Sequence, residues 1–336
     1  MTRILVIQLK RMSELLLTTP MLAALRAHDK EAHITLAIES NSREFLPAFD
    51  FIDESYVFSR RAGNREFWRK LLFASYDICL DCTGNERSAI CSMLSKSKRR
   101  ITFESGTKPA LQSIFYNEFV RSPAREHHAA DHYMHLLQAL KITPQDARPR
   151  LALPEWADKK AGQLLEESGV TGPYVLLHPG TLRPEKYWLP ERWAEVLDFC
   201  KNEMGLTCVV TGASDTAEAP HIAAIRARTA FHDLTERTDL LTLAALIRRA
   251  RLLLTVDSAA MHLGAAFETP QVALFGKTNA FHWRPRNPHA QVIQAGQALG
   301  AAFSPRAPGA PMSEVSTAQV FDAIRIVLNP ASPGNK

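Results

Sequence analysis

The sequence predicts an α/β protein with two domains, each built around a mostly parallel β-sheet. Short β-rich runs alternate with helical patterns along the whole chain, which is typical of βαβ units. The length of 336 residues also exceeds what one hydrophobic core normally organises. A stretch with three prolines, TPQDARPRLALPE at 143–155, interrupts both periodicities, and we place the linker between the domains there.

The individual elements follow from the periodicity of the apolar residues. The N-terminal run MTRILVIQL is followed by Lys10 and Arg11 without a cleavage-site pattern, so it is predicted to be a first strand and not a signal peptide. The predicted strands are 3–8, 33–38, 54–58, 77–82, 99–103, 174–178, 207–211, 252–256 and 271–275. The predicted helices are 15–27, 65–73, 87–94, 130–140, 191–202, 216–228, 240–249, 259–267 and 314–328. A loop rich in Gly, Ala and Pro is predicted at 295–311.

Composition narrows the class of protein and the kind of partner. Hydrophobic residues at 46% and charged residues at 22% argue against extensive disorder, and no apolar run reaches the roughly 18 residues that a membrane span needs. Five scattered cysteines suit reduced thiols in the cytoplasm. The net charge of +5 arises in residues 1–150, which hold 22 Lys and Arg against 17 Asp and Glu. That half is expected to prefer an anionic partner, such as a phosphorylated glycolipid or an acidic membrane surface, unless the charge is simply solvated. Nucleic acid is not expected, because no DNA- or RNA-binding signature is present.

The segment at 252–285 contains the strongest candidate binding site. Its strand ends in Asp257 and Ser258, which are both good helix N-caps, and a helix of small residues follows. The first amides of such a helix, at Ala259, Ala260 and Met261, have no partner within the helix and lie at its positive end. We therefore expect the diphosphate of a nucleotide to bind there without a dedicated metal.

This segment resembles the hallmark of the ADP-heptose:lipopolysaccharide heptosyltransferases, which form glycosyltransferase family 9 and have the GT-B fold. The positions that carry the resemblance are Asp257, Ser258, Ala259, His262, Ala265, Ala266, Phe275, Gly276 and Thr278. The Asp-Ser-Ala form, together with FHWRP at 281–285, is most similar to the heptosyltransferase III branch. The resemblance implies two Rossmann-like domains facing each other across a cleft: an acceptor-binding domain at 1–150 and a nucleotide-sugar-binding domain at 151–313. It also implies a C-terminal helix at 314–330 that crosses back to the first domain.

The turn after the first strand departs from the pattern of the family. The resembled enzymes carry Gly-Asp there, with the Asp as general base on the acceptor hydroxyl, and the aligned residues here are Ser13 and Glu14. Glu14 is therefore expected to be the base, with a side chain that is longer by one methylene, and Ser13 is grouped with the donor-binding residues. The alternative is that Ser13 is an N-cap and Glu14 a favourable acid in the first turn of a helix.

A second loop, HPGTLRPEKYWLPERW at 178–193, also matches the family. Gly180 is expected to let the backbone approach the phosphates, Thr181 to offer a hydroxyl and Lys186 to neutralise the leaving diphosphate as a catalytic residue. Trp188 and Trp193 are expected to be packing residues.

Four further positions complete the predicted donor site or border it. Asp215 is favoured over Glu218 as the acid that binds the ribose, unless it is only an N-cap. His262 is expected to be packed beside the phosphates, and Trp283 to offer an aromatic platform to sugar or adenine.

Two other groups of residues raise the question of a metal site. His128, His132 and His135 share one face of a predicted helix, and an acceptor-facing polar stripe is preferred to metal ligation. Cys79 and Cys82 face opposite sides of a strand and are expected to lie in the core. No metal and no cofactor besides the donor substrate are therefore predicted.

The resemblance implies an inverting glycosyltransferase that moves heptose from ADP-heptose to the inner core of lipopolysaccharide. Such an enzyme would be cytoplasmic and peripheral on the inner face of the inner membrane. Two alternatives stay open: a non-catalytic or divergent protein that binds a nucleotide sugar, and a transferase that uses another nucleotide sugar. No G-x-G-x-x-G or G-x-x-x-x-G-K-[ST] element favours a dehydrogenase or a kinase.

Overall fold

A computed structural model of the chain describes residues 1–61, 63–104, 109–143, 146–181, 183–213 and 218–329. The chain divides into two compact units, of which the first is Met1–Ala152 and the second begins at Leu153. Among the described residues, none of the helices is both long enough and apolar enough to span a bilayer.

The first unit is a six-stranded parallel sheet with helices on its faces. Its strands are β1 (Arg3–Gln8), β2 (His33–Glu39), β3 (Glu54–Phe58), β4 (Ile78–Asp81), β5 (Arg99–Phe103) and β6 (Glu118–Val120). Its helices are α1 (Met12–His28), α2 (Arg65–Phe73), α3 (Glu86–Leu94), α4 (Pro109–Phe115) and α5 (Ala129–Met134), with 3₁₀ segments at Ser40–Ala48 and His135–Leu140. The strand order is β3-β2-β1-β4-β5-β6, and β1, with the sequence RILVIQ, is buried from Ile4 onward at its centre.

The second unit repeats this architecture. Its strands are β7 (Tyr174–His178), β8 (Thr207–Val210), β9 (His232–Asp233), β10 (Leu252–Val256), β11 (Gln271–Phe275) and β12 (Ala290–Gln294). Its α-helices are α6 (Glu155–Glu167), α7 (Pro190–Asn202), α8 (Glu218–Arg226), α9 (Leu240–Arg249), α10 (Ala259–Ala266), α11 (Ala280–Trp283) and α12 (Thr317–Leu328). Two 3₁₀ turns lie at Pro184–Lys186 and Met312–Glu314. The strand order is β12-β11-β10-β7-β8-β9, and the paired strands are parallel.

The two sheets share the strand order of dinucleotide-binding Rossmann folds, so the predicted fold class is confirmed. In each sheet the order reverses between two central strands: β1 and β4 in the first unit, and β7 and β10 in the second. Helices cross to opposite faces on the two sides of such a point, which leaves a crevice outside the carboxyl ends of these strands. Ligand-binding residues are therefore expected after β1, β4, β7 and β10.

The differences from the predicted elements have local causes. Helix α6 starts directly after Pro154, at the end of the stretch that we assigned to the linker, and it buries Ala157, Ala161 and Leu164. The helix predicted at 130–140 changes to a 3₁₀ segment at His135 and ends before Lys141, whose φ of 58° is left-handed. The short edge strands β6, β9 and β12 are not predicted, because two to five residues carry little periodic signal.

The last helix, α12, begins with a capping box in which Ser316 and Gln319 bond each other's backbone amides. It packs against β11, β12 and α7, which all belong to the second unit. The crossing of this helix back to the first unit stays a prediction.

Candidate functional site

An ion pair joins the two central strand ends of the second sheet. The ammonium of Lys186, in the 3₁₀ turn after β7, donates to Oδ2 of Asp257 at 2.5 Å and lies 3.4 Å from the carbonyl oxygen of the same residue. The two side chains are only 17% and 11% exposed. Because little water screens them, this pair interacts more strongly than a surface salt bridge does.

Helix α10 starts beside this ion pair and has no side-chain cap. Ser258 is the N-cap residue, but its hydroxyl lies 3.2 Å from Oγ1 of Thr255 and accepts no bond from the helix. Ser258 therefore takes the N-cap position, as the sequence predicts, but its side chain does not cap the helix, and the side chain of Asp257 binds Lys186 instead. The amides at Ala259, Ala260 and Met261 form the first turn, and the ammonium of Lys186 lies near this positive helix end. This arrangement suits an anion.

Two glycines make room for a buried carboxylate at the ends of β7 and β8. A Cβ atom at Gly180 would lie 1.8 Å from Oε1 of Glu218, and one at Gly212 would lie 2.5 Å from the same oxygen. Glu218 is the first residue of α8 and is 5% exposed. The sequence favours Asp215 over Glu218 as the acid that binds the ribose, and Asp215 lies outside the described residues. The sequence feature that indicates Glu218 is an acid at the start of a helix that follows a glycine at the end of a strand.

Aromatic packing fixes the loop between Gly180 and α7. The hydroxyl of Tyr187 donates to the carbonyl of Thr181 at 3.0 Å, and its ring stacks on His221 with 4.8 Å between the ring centroids. Trp188 and Trp193 are at most 1% exposed and meet edge to face at 4.7 Å, as expected of packing residues. These aromatic contacts therefore fix the loop that carries Thr181 and Lys186.

Two histidines of this region are held neutral. Burial lowers the pKa of His262 to about 4, and its side chain is 1% exposed. Burial also lowers the pKa of His178 to about 4, and its Nδ1 lies 3.2 Å from Oγ1 of Thr211. At neutral pH both rings are uncharged, which suits packing beside the site better than proton donation.

Trp283 ends the short helix α11 and packs, partly buried, against Met261 of α10 and Phe275 at the end of β11. The neighbouring Arg284 donates to the carbonyl of Phe281 at 2.6 Å and lies 5.6 Å from the ring of Phe303. Trp283 therefore belongs to the wall beside α10.

In the first unit, Glu14 lies in the first turn of α1, after the end of β1. Burial raises the pKa of Glu14, and the nearby cations of Lys10 and Arg11 oppose that shift. Ser13 does not cap the helix, because the N-cap residue is Arg11. The alternative interpretation of Ser13 as an N-cap is therefore wrong. A carboxylate with a raised pKa can accept a proton closer to neutral pH.

A histidine cluster lies at α5, which packs against α1, the helix that carries Glu14. The hydroxyl of Ser122 is 2.8 Å from Nδ1 of His132 and 2.7 Å from Nδ1 of His135, while His128 accepts a bond from the amide of Ala130 at the start of α5. Within the described part of the chain, no group of three or more His, Cys, Asp or Glu residues is arranged to hold a metal ion. Cys79 and Cys82 are both buried in the core.

Comparisons with known proteins agree with this geometry. The model of glycosyltransferase family 9 (heptosyltransferase) matches residues 64–305. Lipopolysaccharide heptosyltransferase 3 of Escherichia coli K12 is 26% identical over 284 residues, which cover 81% of this chain and 82% of that protein.

Solved structures share the fold over nearly the whole chain. A glycosyl transferase of family 9 from Veillonella parvula is 25% identical and superposes with a TM-score of 0.84 over 98% of both chains. The ADP-heptose lipopolysaccharide heptosyltransferase II of E. coli, 19% identical, superposes with a TM-score of 0.77 over 98% of this chain and 99% of that one.

Proposed function

Because the chain belongs to glycosyltransferase family 9, the heptosyltransferase family, we propose that it transfers heptose from ADP-heptose to the inner core of lipopolysaccharide with inversion at the anomeric carbon. The observation that carries the proposal is the Lys186–Asp257 ion pair beside the uncapped start of α10. It provides a fixed cation and the positive end of a helix without a side-chain cap, at the place where the donor diphosphate is expected. The similarity to lipopolysaccharide heptosyltransferase 3 and the superposition with the ADP-heptose lipopolysaccharide heptosyltransferase II support the same assignment.

We assign donor binding to the second unit. The diphosphate would accept bonds from the amides of Ala259, Ala260 and Met261 and from the ammonium of Lys186. Glu218, between the loops of Gly180 and Gly212, would accept bonds from the ribose hydroxyls, as acids at this position do in Rossmann folds. Thr181, Ser258, His262 and Trp283 would line the remaining donor surface, and the roles of Ser13 and Asp215 in donor binding stay predictions.

We assign proton abstraction to Glu14 in the first unit. Its carboxylate would take the proton of the acceptor hydroxyl while that oxygen attacks the anomeric carbon of the heptose in line. The bond from the anomeric carbon to the phosphate oxygen breaks in the same step, and ADP leaves with the bonding electrons. Lys186 and the α10 amides would stabilise the negative charge that develops on ADP. The raised pKa of Glu14 supports its role as a base near neutral pH.

The proposal includes no resident metal, because Lys186 and the helix terminus supply the positive charge. We also propose that the protein acts at the cytoplasmic face of the inner membrane, where a lipid-anchored acceptor is available. The excess of 22 Lys and Arg over 17 Asp and Glu in residues 1–150 supports an anionic acceptor.

The experiment measures turnover of ADP-heptose with a heptosylated, core-truncated lipopolysaccharide acceptor. The anomeric configuration of the new glycosidic bond is then determined. Transfer with inversion supports the proposal. The replacement of Gly-Asp by Ser13-Glu14 favours a second candidate, a protein that binds the donor without transfer. Tight binding of ADP-heptose in calorimetry without product across a panel of acceptors would favour that candidate. Tightest competition by UDP or GDP, in place of ADP, would remove the heptosyltransferase assignment.

A further inference from the structure

Three neighbouring helices of the first unit carry an unusual set of exposed apolar side chains. Strands β3, β4, β5 and β6 follow one another in the same direction across the sheet, so right-handed crossovers put α2, α3 and α4 on one face. The helices contact each other in that order. Their exposed apolar side chains, with the exposed fraction of each, are Leu72 (41%), Phe73 (88%), Ile90 (41%), Met93 (43%) and Ile114 (59%).

These side chains share the outer side of their helices. On α2, Phe67 and Leu71 are buried, while Arg65, Arg69 and Phe73 recur every four residues on the opposite side. On α3, Ser88, Ala89, Cys91 and Ser92 are buried, and the outward side carries Ile90 and Met93 at a spacing of three. The apolar residues therefore form part of one outward surface and do not fill gaps in the core.

Hydrogen bonds bring the carboxyl-terminal ends of the three helices together. The ammonium of Lys96, just after α3, donates to the carbonyl of Leu72 near the end of α2 at 2.8 Å. The guanidinium of Arg100, on β5, links the other two ends, because it donates to the carbonyl of Phe115 at the end of α4 at 2.8 Å and to the carbonyl of Ser97, just after α3, at 3.0 Å. Phe73, Met93 and Ile114 thus lie toward the same edge as these cations. We call Leu72, Phe73, Ile90, Met93 and Ile114, with Arg65, Arg69 and Lys96, the apolar-basic surface.

The charge of this region identifies the kind of partner. Residues 60–108 contain 11 Lys and Arg against five Asp and Glu, a net charge of +6 by subtraction, compared with +5 for the whole chain. Some of these cations are neutralised, as Lys98 is by Asp77 at 3.0 Å, but Arg65, Arg69 and Lys96 are exposed. Exposed apolar side chains flanked by cations are the combination that inserts into an interface of anionic lipids. A purely apolar surface would fit a second protein better, and a purely basic one a soluble anion.

We propose that the apolar-basic surface docks this protein on a bilayer that contains anionic lipids. Phe73, Leu72 and Ile114 enter the interfacial region, and Arg65, Arg69 and Lys96 meet the phosphate groups. This inference rests on the proposed function, because transfer to a lipid-anchored acceptor requires the enzyme to work at a membrane surface.

The experiment is co-sedimentation of the full chain with vesicles of phosphatidylcholine, with and without phosphatidylglycerol, in the absence of nucleotide. We expect binding to the anionic vesicles and a fall in binding as salt increases. The double variant Leu72→Ser/Phe73→Ser should lower the partition coefficient by at least about tenfold, because exposed side chains that insert contribute most of the affinity. Arg65→Gln/Arg69→Gln should lower binding to anionic vesicles by about fivefold for each arginine removed.

Matched controls are Trp156→Ser and Ile326→Ser, which replace apolar side chains of the second unit that are 47% and 46% exposed. They should leave vesicle binding unchanged. Equal binding by Leu72→Ser/Phe73→Ser and wild type, or equal binding to neutral and anionic vesicles, would overturn the proposal. Self-association without vesicles that this double variant abolishes would overturn it too, in favour of a protein interface. Calorimetric ADP binding and transfer to a detergent-solubilised acceptor test the proposed function separately, since neither depends on docking.

Discussion

The ammonium of Lys186 lies 2.5 Å from the carboxylate of Asp257, and this contact bridges the point where the strand order of the second sheet reverses. Lys186 follows β7 and Asp257 follows β10, so the pair also fixes the two loops relative to each other. Without donor, the carboxylate holds the lysine in place. If the donor diphosphate binds at α10, as proposed, the same ammonium would already be oriented, which would lower the entropic cost of binding.

Removal of Lys186 is expected to impair both binding and transfer. In Lys186→Met the leaving diphosphate loses its cation, and we expect kcat to fall by about 10²- to 10³-fold, the usual effect of losing one group that stabilises transition-state charge. The measurement is steady-state transfer together with calorimetric ADP affinity. Arg183→Ala is the control, because that side chain is 45% exposed in the same loop. A lysine variant that transfers as fast as Arg183→Ala would contradict the assigned role.

Asp257 illustrates what the sequence predicts and what it does not. The periodicity locates β10 and α10, and the motif identifies Asp257 as a site residue, because both are local properties of the chain. Its partner is 71 residues away, however, and only the sheet order brings the two strand ends together. An N-cap role was the best local interpretation, and a tertiary ion pair replaced it.

Glu218 and the apolar-basic surface also depend on tertiary contacts that the sequence alone does not predict. Glu218 could be recognised as an acid at a helix start, but only folding shows that Gly180 and Gly212 both approach its carboxylate. Leu72, Ile90 and Ile114 lie on three helices that are separate in sequence, and their common surface depends on crossover handedness. Amphipathic periodicity identifies the inward side of a helix, whereas an apolar outward side is visible only as an exception to it.

Glu14→Gln is expected to lose activity and gain stability. A neutral amide takes no proton, so transfer should fall by about 10²- to 10⁴-fold, the range of general-base catalysis. Because burial raises the folded-state pKa of Glu14 above 4.5, its ionisation opposes folding at higher pH. The variant should therefore have a higher Tm than wild type at pH 7 to 8, and the difference should vanish below about pH 4.5, where the carboxyl is protonated in both states. Thermal melts across this pH range, with the exposed Glu31→Gln as control, measure it. Full activity in Glu14→Gln would exclude Glu14 as the base.

Gly180→Ala is expected to weaken ADP binding through Glu218. The new Cβ would lie 1.8 Å from Oε1 of Glu218, so the carboxylate must move from its place at the strand ends. We expect the Kd of ADP to rise by at least about tenfold, a loss of about 1.4 kcal/mol. Gly162 lies in helix α6, and in Gly162→Ala the nearest atom to the new Cβ is Nη1 of Arg249 at 3.8 Å, so this control should bind ADP normally. Unchanged ADP affinity in Gly180→Ala, with the fold intact by circular dichroism, would argue against a ribose-binding role for Glu218.

Transfer is expected to survive removal of divalent cations. The proposal assigns the positive charge at the diphosphate to Lys186 and the first turn of α10, so excess EDTA should change kcat by less than about twofold, too little to represent the loss of a charge-stabilising group. Readdition of Mg²⁺ or Mn²⁺ is the control, because a rate that falls with the chelator and returns with one metal would show that a metal takes part. The Lys186→Met variant adds a second comparison, since rescue of that variant by Mg²⁺ alone would mean that the ion replaces the ammonium.

His262 is expected to make stability depend on pH on the acid side. Its folded-state pKa is about 4, while an unfolded histidine titrates near 6.5, so the unfolded chain binds more protons between these values. The free energy of unfolding should therefore be undiminished above about pH 6.5 and fall as the pH drops toward 4, with His262 contributing at most about 3 kcal/mol of that loss. His262→Gln should show a shallower decline between pH 6.5 and 4.5, even if lost packing lowers its stability at pH 7. Urea unfolding at several pH values gives the two slopes, and His289→Gln, at a more exposed histidine, should keep the wild-type slope. Parallel slopes for His262→Gln and wild type would mean that the ring is not held neutral by burial, and its place beside the phosphate site would need another explanation.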